Sequence, residues 1–283
     1  MEDIRKVGVV GCGIMGSGIA QVCAQFAYDV VVVEINEEAL KKGLYSIASN
    51  LDRLVEKGKL SESERILILS RIKGSTDYES LRDCHIVIEA VPEELELKKE
   101  VFRRLDNICP PEVILATNTS VLSVTEIASA TRKPENVLGM HFANPVPIQK
   151  IVEIVCTLAT KKETLEKAKR FAESIGKRVI VAKDAPGFIT NRLFTPFLLN
   201  AVRILEAGIA TREEIDFAME AIGHRMGPLA TIDLIGLDTL LKGATAMYEE
   251  LKDPQYAPPP LLRRMVALGW LGRKTGKGFY EYK

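Results

Sequence analysis

Six residues near the start of the chain, Gly11-Cys12-Gly13-Ile14-Met15-Gly16, restrict its fold more than any others. They join a β-branched apolar run at residues 6–10 to an apolar stretch of helical spacing. A strand that turns through glycines straight into a helix leaves the first helical N–H groups unpaired at the positive end of the dipole, where a phosphate binds. Gly11 permits the tight turn, Gly13 keeps a Cβ out of the way of a pyrophosphate, and Gly16 lets the helix lie close on the strand. The whole turn, Ile14 and Met15 included, is therefore the expected cofactor contact. Glu34 closes the next apolar run 18 residues after Gly16, where a carboxylate accepts hydrogen bonds from an adenosine ribose diol. That carboxylate repels a 2′-phosphate and no Arg follows it in Ile35-Asn36-Glu37, so NAD is favoured over NADP. The plainer alternative is a glycine-rich turn with Glu34 as a solvated strand end.

The rest of residues 1–185 repeats this alternation, which builds a parallel sheet covered on both faces. Strands are expected at residues 6–10, 30–34, 85–89, 113–117, 137–141, 151–155 and 179–182. Between the second and third lies a long stretch in which Leu40, Leu44, Ile47, Leu51, Leu54 and Val55 recur at helical spacing, ended by Gly58. Ser61 and Glu64 form a capping box for a second helix, so a helical hairpin is expected to project from the sheet. After Lys183-Asp184-Ala185-Pro186-Gly187 the strand signals stop, and helices are expected at 188–207, 212–222, around 234–251 and at 260–268. The fold class is thus α/β: a Rossmann-like doubly wound sheet with a helical hairpin insertion (1–185), followed by a smaller all-α C-terminal domain (186–283). The first of these helices is apolar around more than one face, which predicts a homodimer through the C-terminal domain.

Charge excludes some partners. With 38 Lys+Arg against 38 Asp+Glu there is no long-range field to recruit nucleic acid or a membrane surface. Five cysteines without a C-x-x-C pair and only three histidines argue against disulfides or a metal site and for a reducing, cytoplasmic setting. Residues 7–28 carry no charge, yet five glycines, Gln21 and Gln25 interrupt them and acidic Glu2 and Asp3 precede them, unlike an export signal or membrane span.

Among the histidines, His141 ends an apolar strand at the sheet edge where ligands of such folds bind, before Phe142-Ala143-Asn144-Pro145-Val146-Pro147, whose prolines stiffen the loop. Glu153 is an acid inside the apolar run Ile151-Val152-Glu153-Ile154-Val155, and a buried carboxylate needs a partner. If Glu153 meets His141, it fixes the ring tautomer and stabilises the imidazolium, as a general base requires. His85 and His224 have settings where a surface role suffices.

At these residues the chain resembles the L-3-hydroxyacyl-CoA dehydrogenases, especially the short bacterial and archaeal 3-hydroxybutyryl-CoA dehydrogenases. The likeness spans essentially the whole chain. It includes the glycine turn, Glu89-Ala90-Val91-Pro92-Glu93, Asn118-Thr119-Ser120, the run from His141 to Pro145, Lys183-Asp184 with Pro186-Gly187-Phe188-Ile189 and Asn191-Arg192, Gly236-Leu237-Asp238-Thr239, and Gly272-Arg273-Lys274-Thr275-Gly276-Lys277-Gly278-Phe279-Tyr280. The resemblance implies that His141 removes the 3-hydroxyl proton with Glu153 as its partner. It implies that Ser120 hydrogen-bonds the reacting oxygen and that Asn191 holds the thioester end of the substrate. It puts Glu93, Lys98 and Asn118 near the cofactor and makes the hairpin the clamp for coenzyme A, with Lys57 best matched beside Arg53 and Asn50. On the residues alone, Ser120 and Asn191 also read as helix caps, and Arg53 and Lys57, interleaved with Asp52 and Glu56, as a solvated face. Pro196 cannot donate to the Arg192 carbonyl and is expected to bend the helix that carries Asn191.

Cys12 stands where relatives carry Ala, and an accessible thiol there would make activity redox-sensitive. Ala143 stands where a bulkier residue is common, so chain-length preference does not follow from the family name. Two other readings remain at this stage: a related dehydrogenase of a free polyol acid such as gulonate, which needs no coenzyme A clamp, and a dinucleotide-binding protein without chemistry.

Overall fold

The computed structural model describes residues 4–282, so Glu2, Asp3 and the ends of the two predicted domains at Met1 and Lys283 lie outside the described residues. The chain divides into two compact units, Met1–Asp184 and Ala185–Lys283. In the first, chain order is β1 (Lys6–Val10), α1 (Ile14–Gln25), β2 (Asp29–Val33), α2 (Glu37–Glu56), α3 (Glu62–Ser70), β3 (Ile72–Ser75), β4 (Ile86–Glu89), α4 (Leu95–Ile108), β5 (Ile114–Thr117), α5 (Val124–Ala128), β6 (Val137–Phe142), β7 (Ile151–Cys156), α6 (Lys162–Ser174) and β8 (Arg178–Lys183).

These strands form one sheet in the order β3-β2-β1-β4-β5-β6-β7-β8. All neighbours are parallel except β6 and β7. The expected parallel sheet is therefore mostly parallel, with β7 and β8 running against the rest. Alternate residues of each central strand enter two different cores. Val7, Val9, Ile86 and Ile88 join Ile19 of α1, Ile47 of α2 and Phe171 of α6 on one face, while Val10, Val31 and Val87 join Phe102 and Leu105 of α4 on the other. Each such side chain, fully buried, contributes about 1.5–3 kcal/mol, and Phe102→Ala would cost about 3–5 kcal/mol.

The hairpin differs from its expectation. Its capping box is present, with Glu64 N–H donating to Ser61 Oγ at 3.2 Å and Ser61 N–H to Glu64 Oε2 at 2.8 Å. It does not simply project, because Leu40, Ile47 and Leu51 of α2 and Ile68 of α3 are buried in the core shared with α1. The stretch then ends in β3, an edge strand absent from the expected set. Its sequence Ile72-Lys73-Gly74-Ser75 has one β-branched residue, and a Cβ on Gly74 would lie 3.0 Å from Leu40 and Leu44 of α2, so the glycine makes room for that helix.

The second unit contains α7 (Thr190–Glu206), α8 (Arg212–Ala221), α9 (Pro228–Ile235), α10 (Leu237–Leu251) and α11 (Pro260–Ala267). The stretch expected around 234–251 is α10, and α9 precedes it as a helix absent from the expected set, the two separated at Gly236 with φ +104°. Asp216 of α8 caps α9, accepting from the N–H groups of Leu229 at 2.7 Å and Ala230 at 2.9 Å. Leu198, Leu199, Ala201 and Val202 of α7 fill this unit's own core. Among the described residues no helix is long and apolar enough to cross a membrane.

Candidate active site

Because β1, β2, β4, β5 and β6 run in one direction, their C-terminal ends share one edge of the sheet. That edge gathers the glycine turn, Glu34, residues 89–93, residues 118–120 and His141. The strand order reverses between β1 and β4, so the edge contains the switch point at which open α/β sheets bind ligands.

The three glycines have distinct surroundings. Gly11 has φ +90°, donates to the Val33 carbonyl at 2.8 Å, and a Cβ on it would lie 2.8 Å from the Ala90 oxygen. A Cβ on Gly16 would collide with the Gly11 carbonyl. A Cβ on Gly13 would meet nothing within 4 Å, so open space lies in front of the α1 N-terminus, which no side chain caps. Ile14 is exposed there and Met15 half-buried. Glu34 Oε1 accepts the Cys12 N–H at 2.6 Å and Oε2 the Ile35 N–H at 2.8 Å, which anchors this carboxylate beside the turn. An open phosphate cradle with an acid fixed at the end of β2 fits a dinucleotide.

Cys12 does not suit a redox switch. It is buried against Gly43 of α2, and burial first and Glu34 second push its thiol up to about 12, so the reactive thiolate is scarce near neutrality.

His141 and Glu153 are register partners in the antiparallel pair β6/β7. Directly opposed residues present their side chains on the same face, and Nδ1 of His141 lies 2.8 Å from Oε2 of Glu153. Glu153 is 2% exposed and His141 12%. The strand runs one residue past His141, to Phe142, whose N–H donates to Asn118 Oδ1 at 2.9 Å. Asn118 thereby ties the end of β5 to the backbone beside the histidine. Lys177, which the sequence did not single out, is buried, and its Nζ donates to the carbonyls of Val146 at 2.5 Å and Gln149 at 2.7 Å, holding the loop between β6 and β7.

The segment bearing Ser120 is held from beneath. Glu93 Oε1 accepts from Thr119 Oγ1 at 2.6 Å, Ser120 N–H at 2.8 Å and Val121 N–H at 3.2 Å. Burial alone would raise the Glu93 carboxyl, but Lys98 and those donors outweigh it and hold it below the usual carboxylate range. Lys98 is 1% exposed and spends its ammonium on Glu89 at 2.7 Å, the Val91 carbonyl at 3.2 Å and Glu93 at 3.3 Å. Lys98 thus stands behind Glu93, in ion-pair distance of both carboxylates. Glu89 also accepts from Thr117 Oγ1 and the Val91 N–H, each at 2.7 Å. The cap reading of Ser120 fails, because Ser123 caps α5. Asp184 completes that corner, accepting from Ser123 Oγ at 3.0 Å and Thr125 N–H at 2.7 Å.

Asn50, Arg53 and Lys57 recur at helical spacing on one face at the end of α2, with Arg53 and Lys57 exposed. Asp52, an interleaved acid, is committed to Arg65 of α3. Among the described residues Arg53 and Lys57 form no ion pair. Asn191 belongs to the second unit, in the first turn of α7. The cap reading fails there too, because the N-cap position is Ile189.

Residues 6–185 match the family described as 3-hydroxyacyl-CoA dehydrogenase, NAD binding domain, and residues 187–282 match its C-terminal domain. A curated 3-hydroxybutyryl-CoA dehydrogenase of Mycobacterium tuberculosis is 46% identical over 284 residues, covering 99% of each chain. The crystal structure of FadB2 from M. tuberculosis superposes with a TM-score of 0.98 at 46% identity, covering 100% of both chains. That of the (S)-3-hydroxybutyryl-CoA dehydrogenase PaaH1 from Ralstonia eutropha gives 0.95 at 45% identity, covering 99% of this chain and 100% of that one.

Proposed function

The chain belongs to the 3-hydroxyacyl-CoA dehydrogenase family, and from that premise we propose that it interconverts a (3S)-3-hydroxyacyl-CoA, foremost 3-hydroxybutyryl-CoA, with its 3-ketoacyl-CoA, using NAD. The observation that carries this reading is the His141–Glu153 pair, at 2.8 Å, on the same sheet edge as the dinucleotide cradle.

A bound nicotinamide supplies the hydride acceptor in one direction and the donor in the other. His141 takes the proton of the 3-hydroxyl as hydride leaves C3 and returns it in the reverse reaction, worth about 10²–10⁴ in rate. Glu153 holds the ring tautomer and balances the imidazolium. Ser120 donates to the reacting oxygen and stabilises its alkoxide character. Asn191 holds the thioester end, and Arg53 and Lys57 pair with phosphates of coenzyme A, with Asn50 beside them on the same helix face. Glu34, with no Arg after it, supports NAD over NADP. Glu93 and Asn118 shape the cofactor side through the backbone of residues 118–121 and 142, with Lys98 behind Glu93.

In this reading residues 1–185 form the cofactor domain and residues 186–283 the substrate and dimerisation domain. Exposed Leu193, Phe217 and Ile222 of the second unit support a homodimer through it. Five unpaired thiols support a cytoplasmic setting. The test is a series of 3-ketoacyl-CoA thioesters of increasing length assayed with NADH and NADPH. Turnover of acetoacetyl-CoA with a preference for NADH is expected, and absence of NADH consumption would overturn the reading.

A further inference from the structure

Pro196 sits inside α7, which continues through it to Glu206. Lacking an N–H, it leaves the carbonyl of Arg192, one turn earlier, without its intrahelical donor. A packed helix does not leave such a group orphaned. The donor comes from elsewhere in the second unit: the hydroxyl of Tyr256 reaches the Arg192 oxygen at 3.2 Å, from a side chain that is 2% exposed.

The segment carrying Tyr256 is itself fastened to α7. Arg203 donates to the carbonyls of Pro254 at 3.2 Å, Gln255 at 3.1 Å and Ala257 at 2.8 Å, and Asp253 caps the single turn Pro254–Tyr256. On the other side of the same residue, the Arg192 N–H donates to the Gly187 carbonyl at 3.0 Å. Gly187 has φ +74°, and a Cβ there would lie 2.5 Å from the methyl of Met247. Both peptide groups of Arg192 are thus held from outside the regular helical ladder. Asn191 directly precedes these anchors and supplies the carbonyl half of the first of the two peptide groups.

We infer that Tyr256 is a positioning residue for Asn191: its hydroxyl replaces the donor that Pro196 withholds and fixes the turn from which Asn191 reaches the substrate. This rests on the assignment of Asn191 to the thioester end proposed above. The buried ring contributes packing as well, so the test must remove the oxygen alone.

A double-mutant cycle does so, because Tyr256→Phe keeps the ring and Pro196→Ala gives α7 its own N–H for the Arg192 carbonyl. With acetoacetyl-CoA and NADH, Tyr256→Phe is expected to lower kcat/KM for the thioester about 3- to 10-fold, the range of one buried hydrogen bond, while KM for NADH stays unchanged. In the Pro196→Ala background the same substitution should cost less than about 2-fold, and its Tm penalty of about 2–4 °C should shrink in parallel. Equal losses in both backgrounds, or no loss beside Pro196, would overturn the inference. Absence of turnover in the unaltered chain would instead strike the functional reading on which it rests.

Discussion

Two buried carboxylates in apolar strands of one sheet are neutralised in different ways. Glu89, at the end of β4, meets the ammonium of Lys98, and that pair is sealed: Lys98 is 1% exposed and its other contacts are the Val91 carbonyl and Glu93. Glu153, within β7, meets the imidazole of His141, which keeps 12% of its side chain exposed at the sheet edge. A buried ammonium set among two carboxylates and a carbonyl holds geometry. In the proposed function, the imidazole beside Glu153 carries the proton of the reaction. Burial of an acid in a strand thus marks a built corner, and in the proposed function the partner decides whether that corner positions or reacts.

Breaking the sealed corner should have the largest effect. Lys98→Met leaves Glu89 buried without its counter-charge, and a stability loss of about 3–5 kcal/mol is expected from urea denaturation. A loss below about 1 kcal/mol, no more than an exposed ion pair is worth, would contradict the sealing of this corner. At the reactive corner, Glu153→Gln keeps a hydrogen-bond acceptor but removes the charge, and kcat should fall by about 10- to 100-fold with a displaced pH–rate profile. An unchanged profile would make Glu153 a structural acid like Glu89.

A smaller effect is expected at Lys57, outside both corners. Lys57→Gln should raise KM for acetoacetyl-CoA about 5-fold with kcat unchanged, the signature of a binding contact made equally in ground and transition states. An unaltered KM would favour a free-acid substrate. The smallest effect concerns Glu93. Its carboxyl lies below the ordinary value of 4.5 in the folded chain, so its stabilising contribution is complete above that value and is lost as the pH falls through the folded one. Glu93→Gln should flatten part of the acid-side decline in stability below pH 4.5, and superposable acid unfolding curves would refute this.

The glycine turn and Glu34 were readable in advance because they are local: each is defined by a strand end and a short spacing. Glu153 was readable from the cost of an acid in an apolar run. Glu89, in Ile86-Val87-Ile88-Glu89, carries the same signal. That His141 and Glu153 face each other depends on β6 and β7 being antiparallel. The eight residues between them, 143–150, are too few for a parallel crossover, so that orientation was also within reach of the sequence. Lys98 and Lys177 were not, because a lysine's burial depends on carbonyls and acids brought in by other elements. Edge strand β3 and the short helix α9 escaped for a related reason. Their sequences are weakly patterned, and Gly74 beneath Leu40 or Asp216 capping α9 are tertiary facts.

The central claim is that His141 carries the proton, and single-turnover kinetics of His141→Gln with NADH and acetoacetyl-CoA test it most directly. The account predicts a hydride-transfer rate lower by about 10²–10⁴ with NADH affinity retained. Transfer at the rate of the unaltered chain, with NADH bound equally well, would contradict it.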